Sequence, residues 1–428
     1  MEKTVRNKLL IMMILELFIW GAWLPLIWGY MGSPVADGGL GFTSAQSAWI
    51  GSAFAIASIL AIFFSNQFAD RKFAAEKFLS FSHLIGGLAM LGLFWAKDFN
   101  VFFALMLIHS IFYVPTISVV NSLTFANIKD PSKEFPFIRM GGTIGWILAS
   151  WPLYFILQGK TGVDLMQATK SIFIVSGIAS LVMAAYCRTL PHTPPKPATG
   201  ESGFAWLVAG KRLMIPFVLV LFVVTFLDAT IHNGYFLVAP EYLETRVGIA
   251  KEWIMPVMSL GQVAEIGTMI FLGTVLAKLG WKTTMLLGIA GHLVRFLVFA
   301  YMPDAKSVII IVQLLHGICY AFFFATVYVF IDAVFPKDVR SSAQGWFNLL
   351  ILGIGDLAAK WTFLPYKASL TTTTTVPATG ATSTSVDWHS LFLYPSGLAL
   401  AAMVLFFIFF RPPGFGPEKE AAPGLAPH

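Results

Sequence analysis

The chain has 428 residues, of which 57% are hydrophobic and only 12% charged, with 40 phenylalanines; an ordinary soluble protein carries about 25% charged residues. That balance excludes a soluble enzyme, and the formal charge of +6 is scattered through short loops rather than gathered in the single basic patch that a nucleic acid would need. The two cysteines, Cys187 and Cys319, lie in or beside apolar runs without the spacing of a disulfide framework or a metal site, and no cofactor is implied.

Apolar runs of about 20 residues, enough to cross roughly 30 Å of hydrocarbon as a helix, recur from end to end. Hydropathy predicts about twelve spans, near 9–31, 45–68, 76–97, 100–124, 136–158, 168–187, 213–237, 253–277, 282–302, 306–334, 341–365 and 389–411. The basic start resembles the flank of a signal peptide. Its apolar run is too long for one and no small-residue cleavage site follows, so it reads as the first span.

The fifth span, EFPFIRMGGTIGWILASWPLYF, carries a permanent charge where hydrocarbon makes charge expensive. At 100° per residue Arg139, Thr143 and Trp146 share one face, which reads as part of a polar cavity, while Gly141, Gly142 and Gly145 read as sites of close helix approach. The competing reading is that Arg139, a few residues from the helix start, snorkels to the headgroups. Between the sixth and seventh spans, PHTPPKPATGESGFAWLVAGKR is rich in Pro and Gly and reads as a linker.

In the seventh span Asp228 and His232 are four residues apart, followed by Asn233; Asp228 is a candidate proton carrier or a counter-charge for the neighbouring histidine. The eighth places Gln262 and Glu265 on one face, an amide that both donates and accepts beside a carboxylate. In the tenth, His316 and Tyr320 share a face, ahead of a run of phenylalanines. Asp356 and Lys360 in the eleventh read as a structural ion pair. The Thr-rich TTTTTVPATGATSTS before the last span reads as a flexible loop, and the Pro- and Gly-rich end as a disordered tail.

Basic residues from Lys3, Arg6 and Lys8 through Arg71, Arg188, Lys211, Lys278 and Lys337 to Arg411 fall on one side, which places both termini in the cytoplasm. The expected architecture is an all-α integral membrane protein of the inner membrane: a six-helix half over 1–187, a linker over 188–212, a second half over 213–411 and a tail over 412–428. This is the layout of major facilitator transporters, whose substrate site lies near the membrane midplane between the halves. The loop NQFADRKFAAEK, with Asp70, Arg71 and Lys72, resembles that superfamily's loop motif with Asn66 in place of its first glycine. Nothing requires more than a monomer.

Over nearly its whole length the chain resembles the bacterial nucleoside:proton symporters of that superfamily, through IWGAWL, YVPTISVVNSLTF, FPFIRMGGTIGW, QVAE, RFLVFAY and RSSAQGWF in order. The resemblance implies that Arg139, Thr143 and Trp146, with Gln262 and Glu265, match the family's substrate contacts on helices five and eight. It sets His316 and Tyr320 where a relative has aromatic residues, Asn233 where it has a glutamine, and Phe236 where it has an amide. It also puts Ala321 where the family has an aspartate associated with proton coupling, leaving Glu265 and Asp228 as the candidates. The implied function is nucleoside uptake by alternating access. A transporter of another polar solute such as a sugar, or a nucleoside sensor that moves nothing, are the alternatives, and an enzyme is disfavoured because no nucleophile with a base and no catalytic metal motif is present.

Overall fold

The computed structural model describes residues 3–61, 73–129, 131–195, 205–335, 340–375 and 382–412. Among these residues nine helical stretches are long and apolar enough to cross a membrane, and one of them, Lys251–Tyr301, covers two of the expected spans. Part of the second expected span, the NQFADRK portion of the loop motif with Asn66, Asp70, Arg71 and Lys72, the middle of the linker and nearly all of the tail lie outside the described residues.

The first span is two helices, α1 (Lys3–Gly21) and α2 (Leu24–Gly32), not one. Pro25, in the first turn of α2, has no N–H for a continuous ladder, so the chain turns at Ala22 and Trp23. Next come α3 (Ser44–Leu60), opened by a capping box between Thr43 and Gln46; α4 (Ala75–Leu93); and α5 (Phe99–Asn127), whose first amides are capped by Asp98. Then follow α6 (Pro131–Leu157), the short α7 (Gly162–Thr169) and α8 (Ser171–Tyr186).

After the linker come α9 (Ala205–Arg212), α10 (Pro216–Thr245), α11 (Lys251–Met258) and the long α12 (Leu260–Tyr301), which bends at Gly280. Gly280 has φ +71, a left-handed conformation that suits glycine, and it separates the eighth and ninth spans. The tenth span is also interrupted: α13 (Lys306–Val312), α14 (Leu315–Cys319), a π-helical segment Tyr320–Ala325 and α15 (Thr326–Val334). The eleventh repeats the device, α16 (Arg340–Asn348) passing through a π-helical Leu349–Ile354 into α17 (Gly355–Ser369).

The Thr-rich segment is not a loop throughout. Thr371–Thr375 and Thr382–Val386 pair as antiparallel strands β1 and β2, with Thr373 opposite Thr384. Consecutive β-branched threonines favour extended backbone, a preference that a reading by polarity overlooks. The last helix, α18 (Trp388–Phe409), is capped by Asp387.

The chain forms two compact units. The first comprises residues 1–204 with 250–266 and 352–354. Here α6 lies along α1 with little room: a Cβ on Gly141 would stand 2.8 Å from the Leu10 carbonyl oxygen, and one on Gly145 would overlap that of Ile14. Helices α4 and α8 cross closely through Gly87 and Gly177. The second unit comprises 205–249, 267–351 and 355–428. In it α10 lies against α17, with Gly234 under the Phe363 ring and Gly355 against Ala229, and a Cβ on Gly288 would meet the Phe323 backbone nitrogen at 2.8 Å.

Candidate functional site

Two glycines of α6 are spent on α1, and the neighbouring face is polar. Arg139 turns along the helix away from its start: a Cβ on Gly142, three residues further in, would stand 2.6 Å from Arg139 Nη1. That direction is opposite to snorkelling toward the start of the helix. Gly142 is therefore a cradle for the guanidinium as well as a contact with α1, where the Leu17 side chain would stand 3.1 Å from the same Cβ. One turn beyond Arg139, Thr143 Oγ1 donates to Glu265 Oε1 at 3.3 Å, tying α6 to the first turns of α12. The Arg139 charge acts electrostatically on both Glu265 and Tyr113.

Gln262 sits one turn before Glu265 and is 6% exposed, and its carbonyl Oε1 accepts no hydrogen bond among the described residues. Trp146 meets Trp20 edge-on at 5.6 Å between centroids and backs onto Gly21 of α1, so its orientation is set by packing. Tyr154 and Trp253, 4.8 Å apart between ring centroids, pack α11 against α6. The first unit thus joins Thr143 and Glu265 through one hydrogen bond, with Arg139 and Trp146 on the Thr143 face of α6 and Gln262 one turn before Glu265 on α12.

The remaining expected site residues lie in the second unit. Asn233 spends its amide hydrogens on Ala229 O at 2.8 Å and Ile351 O at 3.1 Å, leaving its own carbonyl oxygen as the group it can offer. His316 is nearly fully buried and its Nδ1 is engaged by Arg295 at 2.8 Å; Tyr320 is half-buried at the start of a π-helical segment, and Ala321 beside it is buried. Asp228 does not neutralise His232, as its spacing suggested. The imidazole facing it is His292 of α12, at 3.6 Å, while His232 stacks on His316 at 4.7 Å. Lys360 Nζ donates to Asp356 Oδ1 within α17.

Two wholly buried charges have no counterpart among the residues singled out from the sequence. Arg295 lies within the ninth span, and its position inside an apolar run is the same signal that marks Arg139. Glu16 of α1 is wholly buried: His83 Nε2 meets Oε2 at 2.9 Å, Thr116 Oγ1 donates to Oε1 at 2.6 Å, and Tyr113 OH donates to its backbone carbonyl at 2.7 Å.

The family described as "Nucleoside H+ symporter" matches residues 1–414. The chain belongs to that family. It is 32% identical to YegT of Escherichia coli (strain K12), a chain assigned to nucleoside transport, over 94% of this chain and 93% of that one. The xanthosine permease of the same organism is 27% identical over 95% and 96%. Two crystal structures of the nucleoside transporter NupG, one of them a mutant, superpose with TM-scores of 0.81 and 0.79 at 22% identity, covering 95% and 96% of this chain and all of theirs. A transporter of the POT family superposes at 0.74 with 11% identity over 94% of this chain and 95% of that one. The fold is therefore one shared among membrane transporters, and this family is one of carriers rather than enzymes.

Proposed function

We propose that this protein moves nucleosides across the cytoplasmic membrane by alternating access, linked to protons as its family's description states. The observation that carries the reading is the Thr143–Glu265 hydrogen bond, which brings the polar faces of α6 and α12 together with the unfilled carbonyl of Gln262 beside them. A nucleoside presents hydroxyls and a flat heterocycle. Arg139, a pure donor, suits ribose hydroxyls; Gln262 suits a base edge; Trp146 supplies an aromatic face.

The resemblance adds Asn233, His316 and Tyr320 as contacts. Asn233 would serve as an acceptor through its carbonyl oxygen, and His316 through its ring or its Nε2–H, because Arg295 holds the other nitrogen. We read the chain as a monomer of twelve spans in two six-helix halves, 1–187 and 213–411, joined by 188–212, with both termini cytoplasmic. Uptake of radiolabelled uridine and adenosine into proteoliposomes tests the reading. Saturable uptake lost in Arg139→Ala supports it; neither binding nor uptake of either nucleoside overturns it.

A further inference from the structure

The second unit holds a buried group of charges that the face on α6 does not explain. Arg295 of α12 is fully buried, and its Nη1 and Nη2 meet Nδ1 of His316 at 2.8 Å and Nδ1 of His292 at 3.0 Å, with the Tyr235 ring 4.1 Å from its guanidinium carbon. Arginine only donates. Both Nδ1 atoms must therefore be acceptors, and each ring carries its one proton on Nε2. Neither imidazole takes a second proton without releasing Arg295.

The Nε2–H of His292 is thereby turned toward Asp228, whose Oδ2 lies 3.6 Å away, beyond a hydrogen bond. Among the described residues no donor reaches either carboxyl oxygen of Asp228, and His292 Nε2 has no other partner. A carboxyl and an imidazole N–H thus face each other, fully buried, one short movement from contact.

We infer that Asp228 is the proton-carrying carboxyl of this transporter, with His292 as the partner that closes on its ionised form and Arg295 as the fixed counter-charge. The inference rests on the transport reading above. With Asp228 ionised the group is neutral as a whole, Arg295 against Asp228, and His292 has an anion to donate to. With the proton on Asp228 the group carries one net positive charge, and the attraction across the 3.6 Å gap is removed. The proton comes from one side of the membrane and leaves to the other, so each cycle returns the carboxyl unchanged.

The two states are connected to a helix that can respond. His292 shares Arg295 with His316, which stands one turn before the π-helical Tyr320–Ala325 and stacks on His232. A π segment inside a helix is a place where register can change. Among the described residues the neighbouring acids are already paired. Cys319 on α14 interacts electrostatically with Asp228. On α17, packed on α10, Asp356 and Lys360 are paired with each other and Lys367 with Glu241. On α18, His389 is spent on the Ala300 carbonyl.

The test compares the reconstituted full chain with Asp228→Asn and Glu265→Gln, reading nucleoside counterflow without a gradient and nucleoside accumulation under an inward proton gradient. The expected result is that Asp228→Asn exchanges nucleoside but accumulates at least tenfold less, and that Asp228→Glu accumulates with a displaced pH midpoint. Accumulation by Asp228→Asn equal to that of the parent overturns the inference, as does a parent that exchanges but never accumulates. Loss of accumulation in Glu265→Gln alone transfers coupling to the first unit and overturns it too. A parent showing no exchange of any nucleoside removes the transport reading itself, and the inference with it. Should Asp228→Asn fail to fold, the pH midpoint of Asp228→Glu decides: an unmoved midpoint overturns.

Discussion

Arg139 keeps its place because a missing methyl group makes room for it. Replacing Gly142 by Ala puts a Cβ 2.6 Å from Nη1 and 3.1 Å from the Leu17 side chain of α1 and must displace the guanidinium, so Gly142→Ala should weaken nucleoside binding by more than the small fall in thermal midpoint of the detergent-solubilised protein would account for. Gln262→Ala should cost about 1–3 kcal/mol of binding, the range for a lost partner to a buried polar group, measured by calorimetric titration with uridine or adenosine. Unchanged affinity in both variants would remove α6 and α12 from the site. Glu16 calls for the opposite pattern: Glu16→Ala leaves His83 Nε2 without its acceptor, while Thr116 keeps only the Tyr113 carbonyl, and should cost about 1–3 kcal/mol of stability, read as a fall in thermal midpoint. Arg139, Thr143, Gln262 and Glu265 were legible in the sequence because each pair lies within one or two turns of one helix. Glu16 was not, since its partners are 67 and 100 residues away, and spacing carries no information between helices.

At the scale of the element, three glycines in one turn and a half of α6 do different jobs, and substitutions should separate them. Gly145→Ala sets a methyl group against the Ile14 carbonyl and should force α1 and α6 apart, lowering the yield of folded protein as size-exclusion chromatography reports it; a normal profile would mean that the two helices can yield. Helix α18 is stabilised where Asp387 accepts from the Ser390 amide at 3.1 Å and from its hydroxyl at 2.6 Å. Asp387→Ala should cost about 1 kcal/mol. The hydrogen bond from the Ser390 side chain, then that from its amide, holds the Asp387 carboxyl below its ordinary value. The folded-state value being the lower one, this stabilisation is complete above the ordinary carboxylate range and is lost as pH falls through the depressed value. The difference in thermal midpoint between parent and variant should accordingly shrink in acid. Hydropathy found these helices but not their interruptions, because a π turn and a continuous α-helix have the same composition; the break at Pro25 was the one with a visible cause.

For the whole molecule, the distribution of basic residues makes a statement about sidedness that simple chemistry can check. Cys187 and Cys319 are both buried, so an impermeant maleimide should leave the parent chain unlabelled in intact cells. Val35→Cys, at a position 72% exposed between the first two spans, should label from outside; Thr189→Cys, after the sixth, should label only after permeabilisation. The reverse pattern would invert the orientation. The general plan was legible because a bilayer demands long apolar runs and short basic loops, whereas the pairing of β1 with β2 depends on contacts between strands that no run of residues records. That pairing has a consequence for the connection between the last two spans. In polymer terms it clamps a long tether at its base, through the paired strands and Asp387 N to Leu370 O at 3.0 Å, so the ends of α17 and α18 are held together by hydrogen bonds rather than by the closure of a free chain.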